Sequence, residues 1–167
     1  ITTDGNIDDI AGQTIIVSGA ADISTSVGTI SLTEAGNDFQ DTLSLSATGA
    51  IAVTDANDIY LAAVHSPNDL TLTALGGDIT QDGSVGIFAS NNTVLNATGD
   101  IILTDEANNF SGVGTMTASG VNISLLDINT INLGTITSTD TVSITAGNAG
   151  ATGNFVDGVT TVDFNDT

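Results

Sequence analysis

The sequence predicts an all-β protein, a parallel β-solenoid of about seven coils, and three observations carry that prediction. The first is an internal repeat. Gly28-Thr29-Ile30-Ser31-Leu32-Thr33-Glu34-Ala35-Gly36-Asn37-Asp38-Phe39 returns 71 residues later as Gly99-Asp100-Ile101-Ile102-Leu103-Thr104-Asp105-Glu106-Ala107-Asn108-Asn109-Phe110. The second is residue type. Hydrophobic residues make up 40% of the chain and aromatics only 4%, beside 19 glycines. A β-branched, glycine-rich composition favours strands joined by tight turns, and the strong helix formers Lys, Arg, Glu and Gln are nearly absent. The third is spacing: apolar pairs alternate with small polar residues, the period of a half-buried strand.

The elements follow in order. Residues 1–27 offer Ile7, then Ile15-Ile16-Val17, then Ile23 between Gly, Asp and Asn turns, and residues 77–98 repeat that layout with Ile79, Ile87-Phe88 and Val94-Leu95. Residues 28–48 place Ile30 and Leu32, Phe39, then Leu43 and Leu45; residues 99–119 answer with Ile101 and Leu103, Phe110, then Val113 and Met116. Residues 49–76 carry Ile51 and Val53, Ile59 and Leu61, Leu70 and Leu72, matched by Ile123 and Leu125, Ile131 and Leu133, Val142 and Ile144 in residues 120–147. Asp55-Ala56-Asn57 matches Asp127-Ile128-Asn129. The reading is one solenoid domain, 1–167, of two three-coil cycles, about 5–76 and 77–147, and a partial round over 148–167. Units this short cannot bury their own apolar face and must stack to do so. An antiparallel sandwich would also use many short strands, but the hairpin dipeptides Asp4-Gly5, Asp82-Gly83 and Asp157-Gly158 do not recur in every unit.

Charge narrows the function classes. There are 20 Asp and Glu and no Lys or Arg, a formal net charge of −20. No Lys or Arg salt bridge can form, so self-repulsion must be spread along an extended shape or relieved by salt or bound cations. Nucleic acid and anionic membranes are disfavoured partners, because both are held through Lys and Arg. No apolar run is long enough for a membrane-spanning helix. Cysteine is absent, which removes disulfide and thiol chemistry. The chain opens Ile1-Thr2-Thr3 without Met, as expected of a processed or excised segment.

The run Leu-Thr-acid-x-x-Asn-x-Phe at 32–39 and 103–110, with Gly77-Asp78-Ile79-Thr80-Gln81, resembles the repeats of filamentous-haemagglutinin-like adhesins and related giant bacterial exoproteins. The resemblance covers residues 28–147. It implies a right-handed parallel β-helix, an extracellular or cell-surface location and no enzyme activity. The Asn-Pro-Asn-Leu secretion signature of that group is absent, and Ser66-Pro67-Asn68-Asp69-Leu70 only echoes it.

Each conspicuous residue has a structural reading beside a functional one. Asn37 and Asn108 suit coil corners, where Asn bonds neighbouring backbone groups or a stacked Asn, with Phe39 and Phe110 plugging the core. Glu34 with Asp38, Asp55 with Asp58, and Asp105 with Glu106 could supply oxygen ligands to calcium; the bland alternative is solvated turn acids. His65 has no evident catalytic or zinc partners. Paired carboxylates can cleave glycosides, but no basic residue is present to hold an acidic sugar, so no catalytic residue is assigned. Thr71-Leu72-Thr73 and Thr135-Ile136-Thr137 do not recur at every coil, which argues against an ice-binding face.

The expected function is therefore a structural or adhesive module of a secreted bacterial fibre or cell-surface protein. It would self-associate end to end through residues 1–4 or 159–164, or continue a longer chain, and it would present a ligand-binding surface to a host or neighbouring cell. The competing expectation is a calcium- or carbohydrate-binding module of a large adhesin.

Overall fold

The computed structural model describes residues 1–83, 85–110 and 114–147, together with the backbone of the strands Phe155–Asp157 and Val162–Phe164. Val113 and most of the round expected over 148–167 lie outside the described residues. The described residues hold strands and turns but no helix, and every strand pairing is parallel.

Two sheets run the length of the molecule. The first stacks Thr2–Thr3, Ala21–Thr25, Leu43–Ser46, Ile59–Ser66, Ile79–Gln81, Ile101–Leu103, Ile123–Asp127 and Val142–Ala146. The second stacks Ile7–Asp8, Ile30–Leu32, Ile51–Asp55, Leu70–Ala74, Thr93–Ala97, Met116–Gly120, Ile131–Ser138 and Phe155–Asp157. The chain alternates between them, so each excursion to one sheet and back is a coil. The stack makes about six turns, which roughly matches the seven coils expected.

Alternation along each strand sends every second side chain inward. Ile30, Ile51 and Leu70 stand in register as one inward column, and Leu32, Val53, Leu72 and Leu95 as the next. These residues are fully buried or nearly so. The core is thus a narrow stack of aliphatic layers, each covered by the coil above and the coil below.

The cycle differs from expectation in one respect. Leaving aside the short corner strands, each cycle contributes seven strands to the two stacks, beginning with Ile7–Asp8 in the first cycle and Ile79–Gln81 in the second. Seven is odd, so a cycle is three coils and a half, not three. Ile30–Leu32 lies in the second sheet while its counterpart Ile101–Leu103 lies in the first. The short corner strands follow the same rule. Ile16–Val17 and Asp38–Phe39 pair on the connections leading from the second sheet to the first, and Ile87–Ala89 and Asn109–Phe110 on those leading from first to second.

Candidate functional site

The polar side chains that recur from coil to coil form ladders. The clearest one enters the first sheet. The backbone N–H of Asp78 donates to Oδ1 of Asp58 at 2.8 Å, that of Asp100 to Oδ1 of Asp78 at 2.7 Å, and that of Asn122 to Oδ1 of Asp100 at 3.0 Å. The N–H of Thr141 closes the series on Oδ1 of Asn122 at 3.3 Å. Each of these residues directly precedes a strand, so each rung ties the entry of one strand to the coil before it. A matching ladder enters the second sheet, where Asn92 donates to Asp69 and Thr115 donates to Asn92, both at 3.2 Å. Charge-assisted bonds of this kind are among the stronger ones.

The glycine of each Gly-Asp-Ile triplet makes the rung possible. A methyl group built on Gly77 would sit 1.8 Å from Oδ1 of Asp58, and one on Gly99 would sit 2.0 Å from Oδ1 of Asp78. The absent side chain is the space that the preceding coil's carboxylate fills.

The second arrangement is the corner built by the Leu-Thr-acid-x-x-Asn-x-Phe run. Asn37 and Asn108 are both completely buried. Oδ1 of Asn37 accepts the N–H of Ile15 at 3.0 Å, and Oδ1 of Asn108 accepts that of Ile87 at 2.8 Å. Their amide nitrogens donate to Oδ2 of Asp9 at 2.9 Å and to Oε1 of Gln81 at 2.7 Å. Expected corner asparagines therefore exist, but they bond the preceding coil and not each other, because three and a half coils of the stack lie between them. On the following coil, Oδ2 of Asp55 accepts the N–H of Phe39 at 2.8 Å, and Oδ1 accepts that of Asn57 at 2.8 Å. Asp127 holds Phe110 and Asn129 in the same way. Phe39 and Phe110 are buried beside the corner, as expected. Burial pushes the carboxyls of Asp55 and Asp127 above the ordinary value; the donated N–H groups pull the other way, and Asp38 and Asp58 add a further upward push on Asp55.

The six acids read as calcium candidates are separated by this arrangement. Asp55 is no solvated turn acid: it is wholly buried and both its oxygens are occupied by backbone donors, so it is removed from the candidates. The carbonyl of Glu34 and that of Asp105 each accept the N–H of the corner asparagine at 3.1 Å, the two turns being equivalent. Oδ1 of Asp105 caps Ala107 N–H at 2.8 Å, while the neighbouring Glu106 is exposed. Asp38 and Asp58 line one surface groove of about 450 Å³, together with Asp41, Asn57 and Tyr60. Among the described residues, no group of three or more His, Cys, Asp or Glu is placed to hold a metal ion. Outside that groove, His65 stacks on Phe88 with ring centroids 4.8 Å apart.

Asp9 carries no sequence signal, and Asp78, Gln81 and Asp100 stand in the sequence only as parts of repeat segments, without a site role. The signal was there for two of them, in the triplets Gly77-Asp78-Ile79 and Gly99-Asp100-Ile101, spaced by one coil.

Fold and ladders together define a β-solenoid repeat protein. A model of the family described as repeats of unknown function (DUF5649) matches residues 1–46 and 48–117. The chain belongs to that family. No curated protein and no solved structure matches it.

Proposed function

We propose that the chain is a structural segment of an extracellular bacterial rod, of the adhesive kind its repeat resembles. One observation carries this reading: among the residues retained from cycle to cycle, Asn37, Asn108, Asp55 and Asp127 bond neighbouring coils while the rings of Phe39 and Phe110 are buried in the core between them. A chain selected for chemistry would instead retain groups turned toward a substrate. The acidic, Lys- and Arg-free composition suits an exposed rod, since its charge is spread along the axis and it offers trypsin-like proteases no site. The rod extends by adding coils at its ends, from the same polypeptide or from a neighbouring molecule.

Electron microscopy of the purified protein tests this. Short rods are expected, and a chain carrying one extra cycle should lengthen by roughly 17 Å, three and a half steps of the strand spacing. Compact particles whose length ignores the added cycle would overturn the reading.

A second reading rests on the groove in which Asp38, Asp41, Asp58 and Tyr60 converge. There a sugar ring could stack on Tyr60 and bond the carboxylates, or calcium could bridge Asp38 and Asp58. Calorimetry with calcium and with neutral glycans, on the wild-type chain and on Asp38→Asn with Asp58→Asn, discriminates. Heat lost in the double variant favours the binding module; flat titrations leave the rod.

A further inference from the structure

The two cycles act as controls for one another, and one groove beside the first carries side chains that the second does without. On the outward side of the first sheet, Ser24, Ser46, His65 and Phe88 stand in register as one column on successive coils. The rings of His65 and Phe88 are stacked, with centroids 4.8 Å and planes 14° apart, a separation of one coil step. The stack is two rings high and ends on serine. The imidazole face turned away from Phe88 looks along the column toward Ser46, whose short side chain leaves that step open. In the neighbouring column Ser44 follows Asp22 and meets a β-bulge, where Ala62 and Ala63 together oppose it. Asp22, Ser44, Ser46, Ala63, His65 and Val85 line the resulting surface groove of about 460 Å³. Its polar groups are free. Among the described residues, the Asp22 carboxylate, the Ser44 and Ser46 hydroxyls and the His65 ring nitrogens make no hydrogen bond within the chain, unlike the rung and corner acids. Nor does the fold require them. The second cycle builds the same bulge at Gly134 and Thr135, yet carries Thr137 where the first has His65 and Val94 where it has Asp22.

We infer that this groove binds a neutral pyranose unit of a glycan, laid on the open face of His65 as the third ring of the stack. The C–H bonds on one face of a sugar ring carry partial positive charge and pack against the negative face of an aromatic ring. The sugar hydroxyls donate to the Asp22 carboxylate and exchange hydrogen bonds with Ser44 and Ser46. Val85, 49% exposed at the rim, gives the ring an apolar edge. Charge selects the class of sugar. With 20 acids and no Lys or Arg, the chain repels a phosphorylated, sulfated or uronic sugar. The aromatic side chain of a peptide would fill the ring position but leave the carboxylate and both hydroxyls against hydrocarbon, at a desolvation cost. The inference goes beyond the rod reading and does not depend on it. The groove is also distinct from the one lined by Asp38, Asp58 and Tyr60.

The chain has a single histidine, so its imidazole C–H signals are unique in an NMR spectrum. The methyl glycosides of glucose, galactose, mannose and N-acetylglucosamine, titrated one at a time, probe the groove. At least one should shift the His65 signals saturably. His65→Thr and Asp22→Val place at these positions the residue types that the second cycle tolerates, so both variants should fold. By saturation-transfer NMR on the sugar, each should weaken binding by about tenfold, the order expected for losing one such contact. His65→Phe keeps a ring and should keep the binding, and Asp38→Asn with Asp58→Asn should leave it unchanged. The assignment fails if no glycoside shifts the His65 signals, or if His65→Thr or Asp22→Val binds as the wild type does. It fails too if the Asp38, Asp58 double variant loses the sugar, which would place it in the other groove. A shift with N-acetyltyrosine amide and none with the glycosides would make an aromatic side chain the occupant and overturn the sugar. Rods that bind no glycoside remove only this assignment; compact particles that bind one remove only the rod reading.

Discussion

At the residue scale, glycine and aspartate work as one unit across two coils. Gly99 has no side chain because the carboxylate of Asp78 occupies that space while accepting Asp100 N–H. Gly99→Ala must turn Asp78 away and leave that N–H without its acceptor. The expected loss is about 1–3 kcal/mol in urea unfolding, the cost of removing a hydrogen bond to a charged group. Thr93 presents the opposite case. It is buried in the column between Leu70 and Met116, and its hydroxyl has no hydrogen-bond partner among the described residues. Thr93→Val keeps the shape and removes the desolvated hydroxyl, so it should raise stability by about 1 kcal/mol in the same assay. The corner residues Asn37, Asn108, Phe39 and Phe110 were legible in the sequence because they recur as a group. The burial of Asp55 was not legible, although Asp55-Ala56-Asn57 recurs as Asp127-Ile128-Asn129. Acids are ordinarily exposed, and the donors that hold Asp55 inside include Phe39, on a different coil and invisible to any local pattern.

At the element scale, the corner connects three successive coils, and its two copies have different surroundings. Asn108 supports Ile87, which is fully buried, whereas Asn37 supports Ile15, which is only partly buried. Asn108→Ala should therefore cost about 2–3 kcal/mol, the upper range for stranding a buried backbone donor. Asn37→Ala should cost about half that, since Ile15 N–H lies where water can replace the lost acceptor. Equal losses in denaturant midpoints would show that the Ile15 N–H is as protected as that of Ile87. Strand positions were readable from the alternation of apolar residues, and so was the repeat length. The switch of sheet between cycles was not. An inward side chain has the same pattern in either sheet, so the parity of the strand count emerges only from the pairing.

At the scale of the whole molecule, the charge is one-signed, and the buried acids add to its effect. The folded-state carboxyls of Asp55 and Asp127 titrate above the ordinary value of 3.8. Protonation therefore favours the folded chain. Their contribution is fully present below the unfolded value and is lost as pH rises through the folded one. Easing of repulsion among the other acids works in the same direction. Thermal unfolding should shift upward as pH is lowered from 7 toward 4, and Asp55→Asn with Asp127→Asn should flatten that slope. A melting temperature that falls on acidification would contradict the assignment of both carboxyls.

The half-coil offset also sets how the rod meets its surroundings. Successive cycles are arranged like leaves alternating on a stem, each turned to the side opposite the last. A surface feature carried once per cycle would face a given direction only at every second cycle, roughly 34 Å apart along the axis by the strand spacing. A flat surface touching one flank would meet half of the repeats, and a rod lying between two surfaces would grip both with a single sequence.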